Sequence, residues 1–232
     1  MPLSRLLISP VSWLLQMRPF DIAPNGTRAS KRLRAIFACV CALGVCAGCF
    51  DEPVSADKTV PAGARVYLSG LGLADLSAHA DRFSLGDAID YVNLDRNRLE
   101  AMPGELASLT GLKWLRLNEN RLSDLGDLSQ LKRLRRIYLR ANRFTAVPET
   151  LKDLPQLTDI DLSENPISEI PDWLAQKEGL ENLSFSRTGI TKLPSDIKAW
   201  RSLHSLQLGD LKLSAQEMAR IRKALPKTAI IF

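Results

Sequence analysis

Beyond residue 49 this chain has no cysteine, and in its full length it has only two histidines; aromatic residues make up 6% of the whole. All four cysteines (Cys39, Cys41, Cys46, Cys49) lie in one apolar stretch near the N-terminus. The remainder can therefore hold neither a disulfide nor a cysteine zinc site. Cys46 and Cys49 match C-x-x-C in spacing, but no strand precedes them and no redox-fold helix follows, so a redox role is set aside. No apolar run reaches the roughly 18 residues that a spanning helix needs. Charge asymmetry is missing too. Six of the 31 basic residues and one of the 26 acidic ones fall in residues 1–49, which leaves 25 of each sign in the remaining chain. The overall charge of +5 is a property of the leader, and a nucleic-acid role loses its main support.

What is present begins with that leader. Lys31, Arg32 and Arg34 precede an apolar run from Ala35 to Val45, and small residues lead on to Cys49. Charged region, apolar region and small-residue site is the order of a secretory signal. Cys46-Ala47-Gly48-Cys49 resembles the lipobox of bacterial lipoproteins. Ala47, Gly48 and Cys49 fit it, and Cys46 departs from the aliphatic residue that usually stands in its place. The resemblance implies cleavage before a lipidated Cys49 and a membrane-anchored place in the bacterial cell envelope, facing the periplasm from the outer membrane if the cell is Gram-negative. The alternative is an uncleaved anchor or a disordered basic arm. Met17 offers a second start that keeps Arg18, Lys31, Arg32 and Arg34 ahead of the apolar run. The expected division is a leader over 1–48, a polar tether over 49–62 containing Asp51, Glu52, Pro53 and Pro61, and a folded domain over 63–232.

In that domain a segment recurs. Leu112 to Asn120 is repeated at Leu134 to Asn142, Leu157 to Asn165, Leu180 to Thr188 and Leu203 to Leu211, and is foreshadowed at Ile89 to Asn97, always 22 or 23 residues on. Pro103, Pro148, Pro171 and Pro194 hold one place in the second half of the unit, where the shortened unit has Gly126. The pattern L-x-x-L-x-L-x-x-N resembles the leucine-rich repeat family. It implies an α/β solenoid of about seven units, with a curved parallel sheet on the concave face and short helical or extended segments on the convex one.

The residues give the same reading without the family. Alternation at Leu115 and Leu117 makes a short strand buried on one side. The chain then turns at Asn97, Asn120, Asn142 or Asn165, whose amides are expected to stack into a buried ladder bonding the backbone of neighbouring coils. Asn118 is expected on the exposed face. Leu106 and Leu109, or Leu151 and Leu154, close each coil from the convex side. The ends are expected to be covered by an irregular first unit over 63–88, with Leu71 at the asparagine place, and by a helix opened by the capping box Ser214 to Glu217. Met218, Ile221 and Leu225 form that helix's apolar side, with Arg220, Arg222, Lys223 and Lys227 facing water; Thr228 to Phe232 is expected to be an edge strand paired to the strand before it.

No catalytic constellation emerges, and no cofactor is implied. His79 falls in the first cap and His204 at an exposed position. Asp159 and Asp161 share a strand face without a third fixed ligand, which is a weak metal pattern. The candidate site is the concave face, where stacking at about 5 Å turns the variable positions into columns. One column is Arg65, Tyr91, Trp114, Arg136, Asp159, Asn182, Ser205; its neighbour is Tyr67, Asn93, Arg116, Tyr138, Asp161, Ser184, Gln207. Tyr, Trp and Arg are the types enriched at interface hot spots. The competing account treats them as ordinary cross-strand pairs such as Arg136 with Asp159, worth roughly 0.2–1 kcal/mol each. The expected function is non-catalytic binding of a protein or an envelope polymer by a monomer, through Arg65, Tyr67, Tyr91, Trp114, Arg116, Arg136, Tyr138, Asp159 and Asp161. The alternative is an intracellular adaptor or secreted effector with the same fold and no anchor.

Overall fold

A computed structural model describes residues 63–232. Cys49, the leader and the tether lie outside the described residues.

The repeat period becomes a stack of coils because no single unit can bury its own leucines. Eight short strands, β1 (Ala64–Tyr67), β2 (Ile89–Asn93), β3 (Trp114–Arg116), β4 (Arg136–Tyr138), β5 (Asp159–Asp161), β6 (Asn182–Ser184), β7 (Ser205–Gln207) and β8 (Ala229–Ile231), form one sheet in chain order. Every neighbouring pair is parallel. Val92, Leu115, Ile137, Ile160, Leu183 and Leu206 point inward from the strand centres and are buried, as are Leu94, Leu117, Leu139, Leu162, Phe185 and Leu208 two residues on. Leu106, Leu109, Leu151 and Leu154 meet them from the convex side with no exposed surface.

Each coil leaves its strand through one residue in the left-handed region. Arg96, Glu119, Ala141, Glu164, Arg187 and Asp210 have φ between 55° and 62°. A side chain makes that conformation unfavourable by about 1–2 kcal/mol. The asparagine that follows offsets it. Asn142 donates through Nδ2 to the carbonyls of Leu139 (3.0 Å) and of Leu117 in the preceding coil (2.9 Å), and its Oδ1 accepts from the Leu122 amide at 3.0 Å. Asn120 and Asn165 repeat the arrangement one coil away on either side. Asn97 extends it to the first coil, taking the Leu68 carbonyl and the Leu73 amide. Leu71, at the asparagine place of that coil, is 55% exposed. After Asn165 the ladder ends; Thr188 satisfies only the Phe185 carbonyl of its own coil. Asn118 departs from expectation. It is half-buried, and its Oδ1 accepts from the Arg140 amide at 2.9 Å, so it is a second polar link between coils.

The convex segments follow the prolines. Pro103, Pro148 and Pro171, with φ from −61° to −70°, directly precede 3-10 turns at Gly104–Ser108 and Glu149–Leu151 and the one-turn helix α1 (Asp172–Gln176). Where Gly126 replaces proline its φ is +58°, and no helical turn forms there. The last coil is filled by Trp200, fully buried, whose indole N–H donates to the Leu174 carbonyl at 2.9 Å. Packing at the first cap is equally close. A Cβ on Gly111 would lie 1.8 Å from the Asp87 carbonyl oxygen, so only glycine fits there.

Helix α2 (Ala215–Ala224) and β8 end the described domain, with β8 paired to β7 as expected. Ser214 caps α2 by accepting from the Glu217 amide at 3.1 Å. The other half of the capping box does not form. Glu217 turns away from the helix start to accept from the Leu193 amide (2.9 Å) and from Arg220 at 2.9 and 2.7 Å. Arg220 is correspondingly not a solvated residue; it donates to the carbonyls of Leu193, Pro194 and Ser195, each at 3.1 Å. The reason lies in the stack. The loop at 193–195 has no further coil beside it, and this ion pair supplies the partners that the next coil would otherwise give. Hydrogen bonding from Arg220, opposed by burial and aided by the Leu193 amide, holds the Glu217 carboxyl below its ordinary value of 4.5.

Two outcomes follow from these contacts. Asn142→Leu removes four hydrogen bonds and strands the Leu122 amide, so it is expected to destabilise by about 3 kcal/mol, since each unsatisfied buried group costs roughly 1–3; exposed Arg143→Ala, in urea unfolding alongside it, is expected to change little. Glu217 contributes fully above its ordinary value, and that contribution is lost as pH falls through the lowered native value. The advantage of wild type over Glu217→Gln, about 1–3 kcal/mol near neutral pH, is expected to vanish on acidification, as measured by unfolding along a pH series.

Candidate functional site

The strand register lays out both columns as the spacing predicts. Arg65, Tyr91, Trp114, Arg136, Asp159, Asn182 and Ser205 are successive partners, and so are Tyr67, Asn93, Arg116, Tyr138, Asp161, Ser184 and Gln207. They share one face because alternate residues in a strand point to opposite sides, and the residue between the two columns, Val92, Leu115, Ile137, Ile160, Leu183 or Leu206, is buried on the other side.

Within the first four strands the side chains touch across the sheet. The rings of Tyr67 and Tyr91 are 5.2 Å apart, and those of Tyr91 and Trp114 6.0 Å, both tilted. Arg65 sits over Tyr91 at 5.8 Å, Arg136 over Trp114 at 4.3 Å, and Arg116 over Tyr138 at 5.5 Å. Tyr67 and Trp114 are nevertheless 59% and 39% exposed. Large apolar surface of this kind is removed from water in a core, and here it remains open in a continuous run.

Charge on this face is largely paired. Arg116 donates through Nε to Asp95 at 2.7 Å, and Asp95 also accepts from the Asn118 amide at 2.8 Å. Arg136 Nε lies 3.4 Å from Asp159. Lys113 lies 3.6 Å from Asp90. Burial works against the Arg116 charge, and Asp95 more than reverses this, so its guanidinium stays charged with a raised pKa. Burial, reinforced by Asp159, raises the Tyr138 phenol above its ordinary value.

Two of the candidate residues are held by neighbours within the face itself. Asp159 is buried, 7% exposed, and held by Thr158 (2.6 Å), Asn182 (2.8 Å) and Arg136, so it supports the face. The cross-strand account was right for this pair. Asp161 is half-buried and accepts from the Ser163 amide at 3.0 Å, a local turn. Neither is placed with a third metal ligand; among the described residues no group of three His, Cys, Asp or Glu is assembled for an ion. His204 is exposed just before β7, and His79 is half-buried in the first cap.

Two parts of the site were not visible in the sequence. Asp95 anchors Arg116 from two residues past the end of β2, a position whose only sequence mark is that it precedes Asn97 by two. The second is a rim along the strand ends where charges alternate: Arg96 with Glu119 (3.3 Å), Glu119 with Arg140 (3.6 Å), Arg140 with Glu164 (3.8 Å), Glu164 with Arg187 (3.3 Å) and Arg187 with Asp210 (3.0 Å). Between rim and columns lies an open polar hollow of about 620 Å³ bordered by Asn93, Asp95, Arg116, Asn118, Tyr138 and Asp161. Beyond β5 the face changes to Asn182, Ser184, Ser205 and Gln207, small and polar.

With this geometry, the comparisons with known proteins agree. The sequence model of the family described as leucine rich repeat matches residues 88–144 and 133–190, and the described domain is a leucine-rich repeat solenoid. Among solved structures, a leucine-rich repeat protein of Leptospira interrogans is similar at 27% identity and a TM-score of 0.54, over 66% of this chain and 45% of that one. An internalin of Listeria monocytogenes is similar in fold at 22% identity and a TM-score of 0.53, over 69% of this chain and 51% of that one. The chain thus spans about half the length of these structures. No curated protein matches the sequence.

Proposed function

We propose that this protein is a non-catalytic binding module that engages another protein through the concave face of its first four strands, and that it does so as a monomeric lipoprotein of the bacterial cell envelope anchored at Cys49. Leucine-rich repeat domains are typically protein-binding modules, and the observation that carries the reading here is the open run Tyr67, Tyr91, Trp114 and Tyr138 interleaved with Arg65, Arg116 and Arg136. Packing alone does not call for such residues on a solvent-facing sheet. A standard contact takes about 800 Å² per partner, within reach of several adjacent strands. The anchor rests on Ala47, Gly48 and Cys49 behind a charged and apolar leader.

The test is affinity capture from envelope extracts with the tagged full chain. Wild type is expected to retain a protein that Trp114→Ala loses by a factor of about 30 or more in affinity, the scale of an interface hot spot of about 2 kcal/mol, while Lys152→Ala on the convex side retains it and all three unfold alike. Equal capture by Trp114→Ala, or loss with Lys152→Ala, contradicts the concave-face reading. Metabolic acyl labelling in the same cells is expected to mark the wild-type chain and not Cys49→Ala; an unlabelled chain in the soluble fraction contradicts the anchor.

A further inference from the structure

We propose that Arg116 and Arg136 form a pair of carboxylate receptors, and that the partner presents to them a protein segment with two acidic residues spaced i and i+2. The proposal rests on the concave-face reading and names the chemistry that the face selects.

Arg116 and Arg136 are built into their places by the same device. Each guanidinium turns Nε toward an aspartate: Arg116 donates to Asp95 at 2.7 Å, and Arg136 Nε lies in an ion pair 3.4 Å from Asp159. Each also lies over the ring of the register partner on the other side, Tyr138 at 5.5 Å and Trp114 at 4.3 Å. The order is reversed between them: acid before ring along the stack for Arg136's neighbour Arg116 is Asp95, Arg116, Tyr138, and for Arg136 it is Trp114, Arg136, Asp159. Nε thus faces an aspartate and a ring lies beside each guanidinium, while the terminal amino groups of both make no hydrogen bond to any described residue. Both side chains keep surface, 40% for Arg116 and 36% for Arg136.

A guanidinium held toward an aspartate at Nε and against a ring, with its end free, has already lost part of the rotamer freedom that carboxylate binding would otherwise remove. Its two terminal groups match the two oxygens of a carboxylate in parallel. The anchoring aspartates do not compete for those groups, since they hold the opposite edge.

Spacing decides what can fill both. Arg116 on β3 and Arg136 on β4 differ by one strand and by two positions along it, which places their Cα atoms about 8 Å apart. In an extended segment, residues i and i+2 project on one side about 7 Å apart. One strand-like stretch lying obliquely across β3 and β4 can therefore satisfy both. Trp114 and Tyr91 beside the forks offer apolar surface for the flanking side chains of such a segment. A continuous polyanion fits less well, because Asp95, Asp159 and Asp161 stand among the arginines and repel charge at every step except the two forks.

The probe is fluorescein-labelled Gly-Leu-Ser-Glu-Ser-Glu-Ser-Leu-Gly, titrated with the full chain by fluorescence anisotropy at low salt, beside the same peptide with both glutamates replaced by glutamine. The expected result is saturable binding that weakens at least tenfold for the glutamine peptide. It is also expected to weaken at least tenfold with Arg116→Lys or Arg136→Lys, which keep the charge and lose the fork. Arg98→Lys and Arg143→Lys, on the flank outside the columns, are expected to stay within twofold. The peptide comparison uses unaltered protein, so it holds even if an arginine variant misfolds. Absence of saturable binding, equal binding of the glutamine peptide, or tighter binding of an oligogalacturonate than of the glutamate peptide overturns the proposal. If a captured cellular partner is lost with Trp114→Ala but kept with both lysine variants, the concave-face reading stands and the receptor pair falls; if none of the three matters, both fall.

Discussion

The structure depends on one constraint: each coil must reverse direction within a residue or two while keeping its backbone out of contact with water. The left-handed residue makes the reversal and the asparagine after it satisfies the carbonyls and amide that the reversal exposes inside. Because each amide bonds two coils at once, it fixes their offset as well as their turn. That offset is what brings Trp114 beside Arg136 and Arg116 beside Tyr138. The ring stacks and ion pairs of the face are thus consequences of a hydrogen-bond ladder on the buried side of the same coils.

The face divides where the ladder ends. Asn165 is the last buried amide, and it closes the coil that carries Asp159 and Asp161. N-terminal to that point the columns hold rings and guanidinium groups; beyond it they hold serine, asparagine and glutamine. The rim ladder from Arg96 to Asp210 spans both halves, but its charges are spent on one another. Exposed ion pairs of this kind contribute little each, about 0–1 kcal/mol. Their effect is to leave the rim nearly neutral.

Much of this was legible from the repeat. A fixed period of 22 or 23 residues names the strand, the buried leucines and the ladder, since each follows from position within the unit. It also names the columns, because parallel stacking turns position into neighbourhood. What it does not give is the direction in which a polar side chain turns. Asp159 occupies an outward position and is nonetheless buried between Thr158, Asn182 and Arg136. Glu217 belongs to a capping box by sequence and spends its carboxylate on the adjacent loop at Leu193. Asn118 and Asp95 lie on the open face yet tie one coil to the next. In each case the choice is made at least in part by a group of another coil, a side chain for Asp159 and a backbone amide for the others, and no local pattern contains it. The leader readings, from the lipobox to Cys49, concern residues the structure does not describe, and they stand on sequence alone.

Hydrogen–deuterium exchange of the full chain, free and saturated with its captured protein partner, tests the central claim most directly. The account predicts slowed exchange in peptides covering residues 64–67, 89–97, 114–119 and 136–141, with the α1 segment and the 3-10 turns of the convex side unchanged. Protection confined to the convex turns, or to α2 and the strands beyond β5, would contradict it.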